Sequence, residues 1–183
     1  MAQMATSRAQ ALAEEFESVV QEFDSFTRTL SQAEWHMRAV NSPIWQLGED
    51  EKRPIAPIAY HTAEVIATHT AMLRDAADGK PLPVPGGRWD IDGVAQWNAA
   101  EAEKNANVTQ EQVHDLLMTN AATALDVIRG LTDEQLDHQL TDADREAVGP
   151  FNPELYTAGQ IIDQCLVGHI RVHLTSFQAT VGR

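Results

Sequence analysis

The stretch TAGQIIDQCLVGHIRVHLTSF, residues 157–177, decides the fold. At 3.6 residues per turn, Ile162, Cys165, Leu166, His169, His173 and Phe177 fall on one stripe, while Asp163, Gln164, Arg171 and Gln178 fall mostly off it. The pattern predicts a helix over about 157–181 that buries this stripe. Two of its members, His169 and His173, are four residues apart, so their imidazoles stack on the buried face. Burying two imidazoles is costly unless something satisfies their nitrogens. A divalent metal is the commonest partner for such a pair, and two core histidines bonded to backbone or side chains are the competing reading.

Working outward, three further segments repeat the helical period. Ala11, Leu12, Phe16, Val19, Val20, Phe23, Phe26 and Leu30 predict a helix over about 5–32. A second is predicted from about 55 to 78, stopped by Gly79. Thr109 with Gln112 has the pattern of a capping box and opens a helix that runs through Val113, Leu117, Ala121 and Ile128 to Gly130. A shorter helix carrying Trp97 is predicted over 91–106. Ser31 with Glu34 and the run Thr132–Gln135 each open a brief turn. Residues 41–54, 81–87 and 138–156 hold prolines and glycines and read as connections. No run of alternating β-branched residues argues for a sheet. The expectation is a single all-α domain over residues 1–183, a four-helix bundle with long connections.

The chain has 13 basic and 27 acidic residues, a net charge of −14. That balance argues against nucleic acid and anionic membrane surfaces as partners and leaves a small-molecule substrate, with a second copy of the chain as the candidate macromolecular partner. One cysteine, Cys165, rules out an intrachain disulfide and suits a cytoplasmic setting. The N-terminus has no basic region followed by an apolar run, and no segment reads as a membrane span.

A catalytic zinc-type site needs three protein ligands and an open position, so the histidine pair needs a third ligand. His61 and His69, on the second long helix, are the candidates. Pitch arithmetic slightly favours His69, which falls nearer the centre of the stripe made by Ile58, Val65, Met72 and Leu73. Glu64, one turn after His61, is a candidate ligand, an acceptor behind a ligand, a catalytic carboxylate or simply a solvated helix residue. Cys165 could ligate a soft metal as a thiolate but reads better as a small core residue. His36, His114 and His138 lie beside polar residues or loops and read as surface groups.

Pro57-Ile58-Ala59-Tyr60-His61-Thr62-Ala63-Glu64 resembles the second-helix histidine motif of the DinB/YfiT-like family of four-helix proteins. The segments Gln96–Glu101, Leu131–Leu136 and Thr157–Ile162, the last leading into His169-Ile170-Arg171-Val172-His173, follow in the family's order and spacing, so the resemblance covers nearly the whole chain. The chain departs from it before His61, where Glu49-Asp50-Glu51-Lys52-Arg53 replaces a Gly-Trp-Ser-like lead-in. The resemblance implies a bacterial bundle with a three-histidine metal site formed by His61, His169 and His173, in place of the His69 that pitch favours. It also implies a metal-dependent transferase or isomerase working with a low-molecular-weight thiol. Zinc or nickel, or else iron, is the expected ion, since three imidazoles suit several transition metals. A metal-assisted hydrolase and a non-catalytic metal-binding or stress-response protein are the alternatives.

Overall fold

The computed structural model describes residues 7–40, 53–84, 91–149, 152 and 154–183. The chain forms α1 (Arg8–Thr29), α2 (Gln32–Trp35), α3 (Ile55–Ala77), α4 (Ile91–Lys104), α5 (Gln110–Arg129), α6 (Asp133–Leu136) and α7 (Asp142–Val148). A last helix, α8, begins at Ala158–Gln160, continues as a π-wound segment at Ile161–Gly168 and returns to α winding at His169–Val181. Among the described residues there is no strand, and two isolated antiparallel bridges join Arg38 to Pro54 and Gln139 to Thr157. The readings placed on 41–52, on Pro85, Gly86 and Gly87, and on Pro150 and Pro153 lie outside the described residues.

The helix starts follow from local chemistry. Ser31, Thr109 and Thr132 each accept from the amide three residues on, while Glu34, Gln112 and Gln135 reach back to the cap amide. The stop after α3 is equally local. Gly79 has φ +68°, its amide donates to the Ala76 carbonyl at 3.1 Å, and the Lys80 amide reaches back to Asp75 at 2.8 Å. That geometry needs a residue that tolerates the left-handed region. Residues 138–156 differ from the expected loop because Thr141 caps a real helix, α7, through Asp144. The Asp144 carboxylate also accepts the Leu82 amide at 2.8 Å, which ties α7 to the chain leaving α3.

Four helices form the bundle. α1 packs on α5, α5 on α3, α3 on α8, and α8 on α1. The side chains fix their directions. Gln110, at the start of α5, donates to the carbonyls of Thr27 and Leu30 at the end of α1, and Arg129 pairs with Glu17 near the other end, so α1 and α5 are antiparallel. Arg171 pairs with Glu15 and Arg183 with Glu34, so α8 runs parallel to α1. His61 lies against His173, while His69, two turns on, lies against His169, so α3 opposes α8. It follows that α3 and α5 are parallel neighbours. A parallel pair needs a connection that returns along the bundle, here on the order of 30 Å for a helix the length of α3. Helix α4 is part of that return, and it lies against α3.

The core runs the length of the bundle, with Phe16, Phe23, Ile55, Ile66, Met72, Leu73, Leu117, Ile128 and Phe177 essentially inaccessible. Trp35 is buried too, and its indole N–H donates to the Val108 carbonyl at 2.9 Å. Leu117 sits on α5, which packs on both α1 and α3. Leu117→Ala is therefore expected to cost about 2–5 kcal/mol of stability, read as a lowered urea midpoint with an unchanged slope. A loss below about 1 kcal/mol would mean that this contact is not part of a packed core.

Candidate metal centre

Helix α3 is buried along most of its surface near its start, at Ile55, Ala56, Pro57, Ile58, Ala59, His61, Thr62 and Ala63. Helix α8 is similar, with Ile161, Ile162, Cys165, Leu166, Val167, Ile170, Val172, His173, Leu174 and Phe177 all buried. A single amphipathic stripe is too narrow a description of either helix. Both pass through the interior and present apolar residues to more than one neighbour.

Where they cross, His61 from α3 meets His169 and His173 from α8. The ring centroids are 5.2 Å apart for His61–His169, 5.8 Å for His61–His173 and 4.6 Å for His169–His173. The rings stand nearly perpendicular, at 76°, 90° and 84°. One nitrogen from each falls within 4.8 Å of the others, and the three could hold a metal ion. No other such group of three or more His, Cys, Asp or Glu side chains occurs among the described residues. Nε2 of His173 is 3.1 Å from Nε2 of His169. Two ligand nitrogens about 2.0–2.1 Å from a tetrahedral ion would stand roughly 3.3 Å apart, so this spacing suits a shared ion.

The electrostatics agree with ligand duty. Burial holds all three imidazoles well below their usual range, with the neighbouring imidazoles and the Arg53 guanidinium pushing the same way. Neutral rings keep a lone pair free to donate, which is the form a metal requires. Nδ1 of His61 is buried without a hydrogen-bond partner. The residues present therefore fit a divalent ion.

Around the three rings the other candidates fall into place. Trp97 of α4 stands edge-on to His61 at 5.4 Å while remaining 44% exposed, so it forms a wall between the site and solvent. The signal for it was its place in a helix within a long crossover. Phe177 lies beside His173 at 6.4 Å. His69, which pitch arithmetic favoured as third ligand, is outside the group; its ring stands against His169 at 5.6 Å. Glu64 is also outside it. Its carboxyl is pushed up by burial and by Glu101, with Lys104 opposing, and Oε2 is buried without a hydrogen bond. The Cys165 thiol, pushed up to about 12 by burial, stays protonated and lies 3.8 Å from Oδ1 of Asn152, which suits a core residue. Of the histidines expected at the surface, His36 and His138 are exposed, whereas His114 is half-buried and pairs with Asp24 at 2.7 Å. A cavity of about 290 Å³ lined by Tyr60, Lys104, Asn105, Asn107, Val108 and Gln112 lies beside the start of α5, and none of the three histidines lines it.

No protein-family model, curated protein or solved structure matches this chain. No helix among the described residues is long and apolar enough to cross a membrane.

The buried imidazoles set an acid limit on the metal-free protein. Burial lowers His69 to about 4, with a bond to the Cys165 carbonyl acting the other way, and an imidazole in the unfolded chain titrates near about 6.5. Between these values the unfolded chain binds a proton that the folded one refuses, so stability falls as pH drops from 6.5 towards 4. His69 alone accounts for about 3 kcal/mol by pH 4, and His61, His169 and His173 act in the same direction. Glu64 and Asp163, raised by burial, oppose this only nearer the carboxylate range. Urea midpoints in chelator are expected to fall steadily between pH 7 and pH 5. A flat profile would show that these rings are hydrated.

Proposed function

We propose that this protein is a divalent-metal-binding bundle of the DinB/YfiT type, acting as a metal-dependent transferase that uses a low-molecular-weight thiol. The observation that carries the reading is the convergence of His61, His169 and His173 from two antiparallel helices. Three protein ligands are the count of a catalytic site with an open position, not of a closed structural one. Zinc and nickel are the favoured ions, with iron a further fit, on the chemistry of an all-imidazole donor set. When bound, such an ion supplies a positive charge that lowers the pKa of a thiol or water on its open position.

The chain's own residues supply the rest. The perpendicular ring edges of His169 and His173 fix two donors from successive turns of one helix, and His61 closes the set from the facing helix. All three are neutral, so an ion held there keeps its full charge. Phe177 and the apolar residues of α8 limit water on the inner side, and Trp97 narrows the approach from α4. The thiol preference follows from the family resemblance. Hydrolysis by bound water and non-catalytic metal storage are the outcomes against which it is tested.

Metal analysis of protein purified without an affinity tag should find close to one transition-metal ion per chain. The loaded protein should consume a small thiol together with an electrophilic acceptor. His169→Ala should weaken metal binding by more than about 100-fold, beyond what loss of an outer partner costs, with its helical circular dichroism intact. His114→Ala, on α5, should bind metal as the wild type does. Equal affinity in wild type and His169→Ala would remove the site. Normal metal binding with thiol-independent ester hydrolysis would replace the transferase with a hydrolase.

A further inference from the structure

Helix α4 is held differently from the four helices of the bundle. The chain that carries it is anchored on both sides. Before it, Leu82 and Val84 are buried, and the Leu82 amide donates to the Asp144 carboxylate at 2.8 Å. After it, Val108 is buried, and its carbonyl accepts the Trp35 indole N–H at 2.9 Å. Between these anchors no residue from Asp92 to Asn107 is buried. The half-buried residues Val94, Asn98, Glu101 and Ala102 recur at helical spacing and mark the face turned to the bundle, where α4 packs against α3. That seam is poorly satisfied. Oδ1 of Asn98 is shut off from water without a hydrogen bond, and so is Oε2 of Glu64 on α3. Lys104 and Asn105 bond Glu101 of their own helix end, at 3.3 Å and 3.0 Å. Beside that end a cavity of about 290 Å³ separates Lys104 and Asn105 from Tyr60 of α3 and Gln112 of α5. A contact with no fully buried side chain on one partner and two unpaired acceptors is of the kind that opens locally, ahead of the core. Yet this helix covers the metal centre, because its Trp97 ring stands against the buried His61 at 5.4 Å.

We propose that α4 is a lid: between its anchors at Leu82 and Val108 it comes away from α3, takes Trp97 off His61, and so admits an ion and a small thiol to the histidine centre. The opening stands on packing alone, while what it admits rests on the metal-binding reading above. Opening returns the Asn98 and Glu64 oxygens to water, which offsets part of the contact that is lost. The anchors confine the motion to this connection and leave the core of α1, α3, α5 and α8 in place. A helix of 14 residues does not hold its winding in water without a partner, so opening also unwinds α4 and frees its amides. Closing restores the Trp97 wall and shuts bulk water out on that side of the site.

Hydrogen exchange on the metal-free wild type tests the lid by itself. The amides of residues 98–104 should exchange at least about 100-fold faster than the core amides of α3 and α5, and with a weaker dependence on low urea. Asn98→Leu, which replaces an unpaired acceptor by an apolar side chain, should slow those amides at least about fivefold and leave α5 unchanged. Cobalt(II) then tests the gate. A gate changes entry and exit alike, so Asn98→Leu should slow cobalt uptake and its extraction by chelator by the same factor, about fivefold, with Kd within about twofold of wild type. Trp97→Ala should speed both rates together. Protection of α4 equal to that of α5 overturns the lid. Wild-type cobalt rates in an Asn98→Leu protein whose α4 exchange is slowed overturn the gate. So does a change in extraction alone, which would make α4 a contributor to affinity. A wild type that takes up no cobalt retires the metal reading and the gate with it, and the exchange comparison still decides whether α4 opens on its own.

Discussion

Removing an imidazole from water costs free energy that only a partner can return, and this chain does so four times along one pair of helices. His61 and His69 on α3 meet His169 and His173 on α8, all held neutral by burial. His169 and His173 share a 3.1 Å contact between nitrogens, and His61 leaves Nδ1 without a hydrogen-bond partner. The antiparallel crossing of α3 and α8 is what brings these needs to one place.

That crossing also shapes the rest of the bundle. With α8 parallel to α1 and opposed to α3, and with α5 opposed to α1, helices α3 and α5 must run the same way side by side. Their connection cannot be a short turn. It travels back along α3 as α4, and this is why a tryptophan from a helix outside the four-helix core stands against His61. The same connection is anchored at Leu82 by the Asp144 carboxylate, which makes α7 a strut for the crossover. A wall beside the site is thus a consequence of topology.

What could be read in the sequence was what depends on near neighbours. Ser31, Thr109 and Thr132 announce helix starts because a cap and its partner are three residues apart, and Gly79 announces a stop because a left-handed residue is needed there. The i,i+4 spacing of His169 and His173 was visible for the same reason. Asp144 escaped notice because its part in α7 competes with the prolines and glycines that follow. The Asp24 partner of His114 is 90 residues away and has no local trace. The third ligand shows the limit most sharply. Pitch arithmetic assumes one buried stripe and an even 100° per residue, but α3 is buried on several sides, so centring a stripe cannot rank His61 against His69. The π winding of α8 breaks the second assumption. Composition and periodicity carry no signal for a five-residue turn, although Gly168 stands where one must close.

Charge adds a last constraint. The chain carries a net charge of −14, yet among the described residues the titratable groups that act on the three rings are other imidazoles and the Arg53 guanidinium. The acidic surface and the neutral centre act at different ranges. Diffuse negative charge raises the local concentration of a dication and is screened within about 10 Å in ordinary salt, so it cannot set the affinity of a buried site. Affinity must come from the lone pairs and from how rigidly the rings are held.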